Sequence, residues 1–156
     1  MAKDARLRTP VDDAYLISLG RALYAFACLE WNALCCCDRM KPGYVHKADK
    51  VTAKGLAKDV AKYAGRLAEE NVRLACVAAA EEFGRLADLR NDIYHSHPAT
   101  LSDGSQRLLR RQRALTIEEI DDAADAFTEC SMTLNVLLHG PLREVLELSP
   151  SAQEPT

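Results

Sequence analysis

Chemistry-bearing side chains concentrate in one stretch, Leu86-Ala87-Asp88-Leu89-Arg90-Asn91-Asp92-Ile93-Tyr94-His95-Ser96-His97-Pro98. Arg90 stays protonated and offers a planar fork to two phosphate oxygens. His95 is a group of the type that exchanges protons near neutral pH, and a positioned acid or base contributes about 10²–10⁴-fold to a rate. On a helix, Asn91 and His95 are four residues apart and share a face. Arg90 and His95 are five apart and turned about 140° from one another. Either the long Arg90 side chain closes part of that gap, or Arg90 of one copy meets His95 of another in a symmetric dimer. Asn91 would orient His95 or donate to the phosphate, and Asp92 and His97 are supporting candidates. Plainer roles stand beside these. His95 complements the negative end of a helix, Arg90 pairs with Asp88 or Asp92, and His97, ahead of Pro98, shapes a turn.

Two features surround this stretch. Arg107, Arg110, Arg111 and Arg113 follow within seven residues, so positions 85–113 hold six Arg against three Asp. That +3 segment is a candidate phosphate- or RNA-binding patch. The alternative is a solvated loop, or ion pairs with the acidic segment 114–129, which carries six acids and no base. No aromatic residue interleaves the arginines, so base stacking is not indicated. Glu30 lies on the apolar side of the first helix, between Phe26 and Leu34. If buried, it needs a partner such as Arg90 or His95; otherwise it reaches water from a boundary position. A metal site built from His46, His95, His97 and His139 is disfavoured, because no E-x-x-H pair is present. No G-x-S-x-G elbow and no Gly-rich phosphate loop occurs. No cofactor is expected.

The elements that must position these residues read as helices. Thr9 is the expected N-cap and Pro10 the first helical position of a helix running to about Asp38. Leu16, Leu19, Leu23, Phe26 and Leu34 recur along it, and Ile17, Tyr24 and Trp31 widen the apolar surface, which predicts burial on more than one side. Arg21 and Glu30 interrupt the run, so it does not span a membrane. A turn at Met40-Lys41-Pro42-Gly43 and a polar stretch to Asp49 lead to a second helix from about Thr52 to Leu67, ending at Gly65 or around 69–71. A third carries Cys76, Ala79, Phe83, Leu86 and Ile93 and stops before Pro98. Residues 98–115 read as a long connection with an Asp103-Gly104 turn. Thr116 and Glu119 form a capping box opening a fourth helix with Ile120, Phe127, Leu134 and Leu138 on its stripe, ending at Gly140. With no strand-period segment, the expected fold is all-α: an antiparallel four-helix bundle with a short extra C-terminal helical turn. The expected organisation is a 1–9 tail, a 10–148 bundle and a disordered 149–156 tail.

Composition frames the rest. Of the 156 residues, 48% are hydrophobic and 28% charged, with 20 basic against 23 acidic side chains. That balance suits one globular domain and gives no global basic field. Cys28, Cys35, Cys36, Cys37, Cys76 and Cys130 form no C-x-x-C pair, so they read as reduced packing residues. No secretory signal is evident, which points to a cytoplasmic protein.

Arginine, a polar residue, and a histidine after four intervening positions, late in the third of four helices, resembles the HEPN superfamily, whose hallmark is R-x(4–6)-H. Arg90 to His95 fits this spacing, and Arg90 to His97 fits it too. The resemblance covers roughly residues 11–140, with six to eight of them specific. It implies a metal-independent endoribonuclease acting as a homodimer, with RNA as substrate, a 2′,3′-cyclic phosphate as product, and a toxin or phage-defence role with a cognate antitoxin. It equally implies the alternative of a catalytically silent helical dimer that binds a protein or nucleotide partner.

Overall fold

Asp12, not Thr9, starts the first helix. In the computed structural model, which describes residues 9–147, the Asp12 carboxylate accepts the Tyr15 backbone N–H at 2.9 Å. Helix α1 then runs Asp13–Met40. Pro10 therefore lies ahead of the helix, because Asp is as good a cap as Thr and sits closer to the first periodic apolar residue. The expected 149–156 tail lies outside the described residues, as does most of the 1–9 segment.

Past Gly43, which takes a left-handed φ of 83°, residues Tyr44–Lys50 wind as a 3₁₀ segment. Helix α2 spans Ala53–Ala64 behind a Thr52 cap and stops at Gly65, the earlier of the two expected ends. Helix α3 is Glu70–Tyr94, with His95 as its C-cap. Helix α4 is Ile117–His139 and opens on the expected capping box, Thr116 and Glu119 each bonding the other's backbone N–H. A short α5, Pro141–Glu147, follows.

Residues 98–115 are not an irregular connection. They fold as a three-stranded antiparallel meander: β1 His97–Thr100, β2 Gln106–Arg110 and β3 Arg113–Ala114. The expectation of an all-α chain without strands is corrected here. The strands are too short, and too evenly half-buried, to show a period-two alternation. The Asp103-Gly104 turn joins β1 to β2, with Gly104 at φ 84°.

The helices also do not simply alternate in direction. Tyr15 donates to the Leu115 carbonyl, Asn32 to Ser131, and Cys36 to the Leu134 carbonyl. Positions therefore rise together on α1 and α4, which run parallel. Lys54 pairs with Asp88, and a Cβ on Gly84 would touch Ala57, so α2 and α3 are antiparallel. The 3₁₀ segment lets the chain double back after α1, so the start of α2 lies beside Glu30 and Asp59 near Cys37.

Phe26, Phe83 and Phe127 form the aromatic centre, with Phe26 edge-on to Phe127 at 5.0 Å between centroids. Cys36, Cys37, Cys76 and Cys130 are buried with it, and burial pushes Cys37 up to about 12 and Cys76 and Cys130 to about 11. These thiols pack and do not ionise. Cys28, by contrast, is exposed. The expected breadth of burial on α1 fails at Ile17, Tyr24 and Trp31, which are 51%, 74% and 58% exposed. Their seven-residue spacing places them on one outer stripe, whose Tyr24 borders a surface groove shared with α4. No helix among the described residues is long and apolar enough to cross a membrane.

Candidate functional site

Arg90 sits where α1, α2 and α3 approach one another. Its guanidinium carbon lies 5.2 Å from the centroids of both Phe26 and Tyr94. Nη1 donates to Asn91 Oδ1 at 3.0 Å, and Nε is buried with no hydrogen-bond partner. Neither expected carboxylate takes it: Asp88 is held by Lys54 at 2.7 Å, and Asp92 by Arg110 through Nε at 2.9 Å. The remaining acid is Glu30, half-buried. Burial pushes its carboxyl above the ordinary range, and the nearby Arg90 charge opposes that shift. Arg90, Asn91 and Glu30 line a cavity of about 430 Å³ with Lys54 and residues 51–53 at the entrance to α2.

Asn91 therefore orients Arg90 rather than His95. His95 is its neighbour only through the backbone, its N–H donating to the Asn91 carbonyl at 2.9 Å. The His95 side chain is exposed and stands edge-on to Tyr94, with ring centroids 5.6 Å apart. Arg90 and His95 thus flank the same tyrosine without meeting, as their five-residue offset requires. His97 is exposed on β1, ahead of Pro98. Among the described residues, no three His, Cys, Asp or Glu side chains group so as to hold a metal ion, and the four histidines do not converge.

The arginines after α3 are mostly spent on ion pairs. Arg107 reaches back to Asp12 at 2.6 Å and lies over the Tyr15 ring. Arg110 closes on Asp92, and Arg113 on Glu119 of the following acidic helix. Arg111 alone of the four has no such partner and is exposed at the β2–β3 turn. Of these pairs only Arg113 to Glu119 joins the acidic helix, as the ion-pair alternative expected.

Sequence reasoning missed the aromatic shelf beneath Arg90. The signal was present: Tyr94 is four residues on from Arg90 on one helix face. Phe26, sixty-four positions earlier, needed the tertiary fold. A second missed feature is the groove beside Arg90, about 220 Å³, lined by Leu19, Ala22, Leu23, Ile93 and Tyr94 among others. Leu23 and Tyr94 are 61% and 68% exposed there.

No protein-family model, no curated protein and no solved structure matches this chain.

Proposed function

We propose that the protein is a metal-independent endoribonuclease of the HEPN type that works as a homodimer. Arg90 binds the scissile phosphate and His95 moves the proton between the 2′-OH and the leaving oxygen. The observation that carries this reading is the state of Arg90. It is a half-buried guanidinium fixed by Asn91 and two aromatic rings, with an unsatisfied Nε and no carboxylate in direct contact. Such a group gains most from an arriving anion, because charge-assisted bonds are strong where water is scarce. Preorganised in this way, it stabilises the charge that builds on the phosphorus oxygens in the transition state.

The dimer supplies what one chain lacks. Arg90 and His95 do not converge within a copy, and exposed Leu23 and Tyr94 border the groove that Arg90 lines. A two-fold contact across this groove covers that apolar surface and brings His95 of one copy toward Arg90 of the other. Arg107, held by Asp12, is neutralised and takes no part in this reading.

One observation favours the second reading, a catalytically silent helical module. Stacking of Arg90 between Phe26 and Tyr94 is also a packing arrangement in its own right. Purified protein incubated with a structured RNA pool in EDTA separates the two. Cleavage yielding 2′,3′-cyclic phosphate ends, lost in both Arg90→Ala and His95→Ala but kept in His97→Ala, supports the enzyme. Absence of cleavage, or cleavage indifferent to both substitutions, removes this site.

A further inference from the structure

We propose that the cleft between the β2–β3 hairpin and helices α3 and α4 binds a small phosphate monoester with an apolar body. The cleft holds about 620 Å³, within the usual range for small-molecule sites. Leu89, Ile93, Ile120 and Ala123 form an aliphatic floor. Arg85, Arg110, Arg111 and Arg113 surround the opening, together with the carboxylates of Asp92, Glu119 and Asp122. Arg90 does not line it, so this site is separate from the one above and does not rest on ribonuclease activity.

The strain of the hairpin lies at its tip. Its register sets Arg110 directly opposite Arg113, and ion pairs to Asp92 and Glu119 offset the repulsion between these like charges. The two residues between them, Arg111 and Gln112, both adopt positive φ, 49° and 67°. A two-residue turn of this kind favours Asn-Gly, and side-chain-bearing residues other than Asn or Asp are strained in it. A strained turn and an unpaired arginine at its tip converge on one opening. A dianion there gives Arg111 its missing partner.

Arg110 and Arg113 keep free N–H groups for such a ligand, because each guanidinium has five donors and the carboxylates use only some of them. Arg85, bidentate to Glu82, is the most neutralised of the lining arginines. The aliphatic floor selects a body that leaves water readily, so the ligand carries charge at one end and apolar surface at the other. No aromatic ring lines the cleft to stack successive bases, which argues for a small ester over an RNA strand.

Titration of the full chain with 1-naphthyl phosphate, inorganic phosphate and 1-naphthol tests this by calorimetry. The expected result is one saturable site per chain for the ester, at least about tenfold tighter than for either half. Arg111→Ala weakens it about tenfold, and Arg90→Ala leaves it unchanged. The double variant Arg111→Asn with Gln112→Gly raises Tm yet loses the ligand, which excludes misfolding as the cause. The proposal is overturned if the ester does not saturate by millimolar concentration, if Arg111→Ala binds as the parent does, or if inorganic phosphate binds equally well. It is equally overturned if an unphosphorylated tetraribonucleotide binds more tightly than the ester, which assigns the cleft to RNA.

Discussion

Arg90 and the hairpin arginines lie at the same end of α3 and are held by opposite means. Arg107, Arg110 and Arg113 each close on a carboxylate at the surface, where such pairs contribute about 0–1 kcal/mol. Arg90 is half-buried, stacked on rings, bonded to a neutral amide and left with a buried donor unmet. A paired guanidinium has already spent most of its attraction for an anion. The one held by aromatic rings and an amide has not. Local charge density in the sequence therefore does not mark the arginine with the most unmet capacity: the richest cluster is mostly neutralised.

Substituting the shelf gives the largest expected effect on stability. Phe26→Ala removes a fully buried ring from the aromatic centre and costs about 3–5 kcal/mol in urea unfolding. Phe26→Leu, closer in volume, costs about 1–2 kcal/mol and still withdraws the ring beneath Arg90. A loss of cleavage larger than that destabilisation explains sharpens the contrast; an Arg90 function indifferent to the ring breaks it. Next in size is the hairpin. Replacing Arg111 and Gln112 with Asn and Gly relieves two left-handed side-chain-bearing residues and stabilises by about 1 kcal/mol or more, read as a raised Tm.

Glu30→Gln gives a smaller effect whose sign is fixed by pH. Burial raises the Glu30 carboxyl above its unfolded value, so the folded state favours the protonated form. The stabilisation this gives is fully present below the unfolded value and is lost as pH rises through the folded one. Glu30→Gln is therefore more stable than the parent at neutral pH, and the two Tm curves converge in acid. A parent that gains stability relative to Glu30→Gln on raising pH would mean that Arg90 outweighs desolvation. The smallest effect is Arg113→Ala, which changes stability by under about 1 kcal/mol because both partners of the pair reach solvent.

The long elements were legible because their causes are local. The Thr116–Glu119 capping box and the periodicities of α3 and α4 need no distant partner. Spacing singles out Arg90 as a candidate and Glu30 from its place between Phe26 and Leu34, and the structure brings these two to one cavity with Asn91, whereas His95 stands apart from Arg90. What spacing does not carry is pairing between remote segments. The meander pairs near neighbours, β1 with β2 and β2 with β3, but its strands are too short to mark the sequence, and the doubling back after α1 depends on Gly43 and a 3₁₀ segment that reads as a polar loop. The partner exchange at Asp88 and Asp92 has the same origin. Both acids neighbour Arg90 in sequence, yet Lys54 and Arg110 arrive from other elements and take them.

The most direct measurement is the steady-state cleavage of a defined RNA in EDTA by the parent, Arg90→Ala and Arg107→Ala, with kcat and KM resolved. Arg90→Ala is expected to lower kcat by about 10²-fold or more, since its contact strengthens in the transition state. Arg107→Ala is expected to leave kcat near the parent value, because Asp12 already neutralises that guanidinium. Equal kcat in the parent and Arg90→Ala would contradict this role of Arg90.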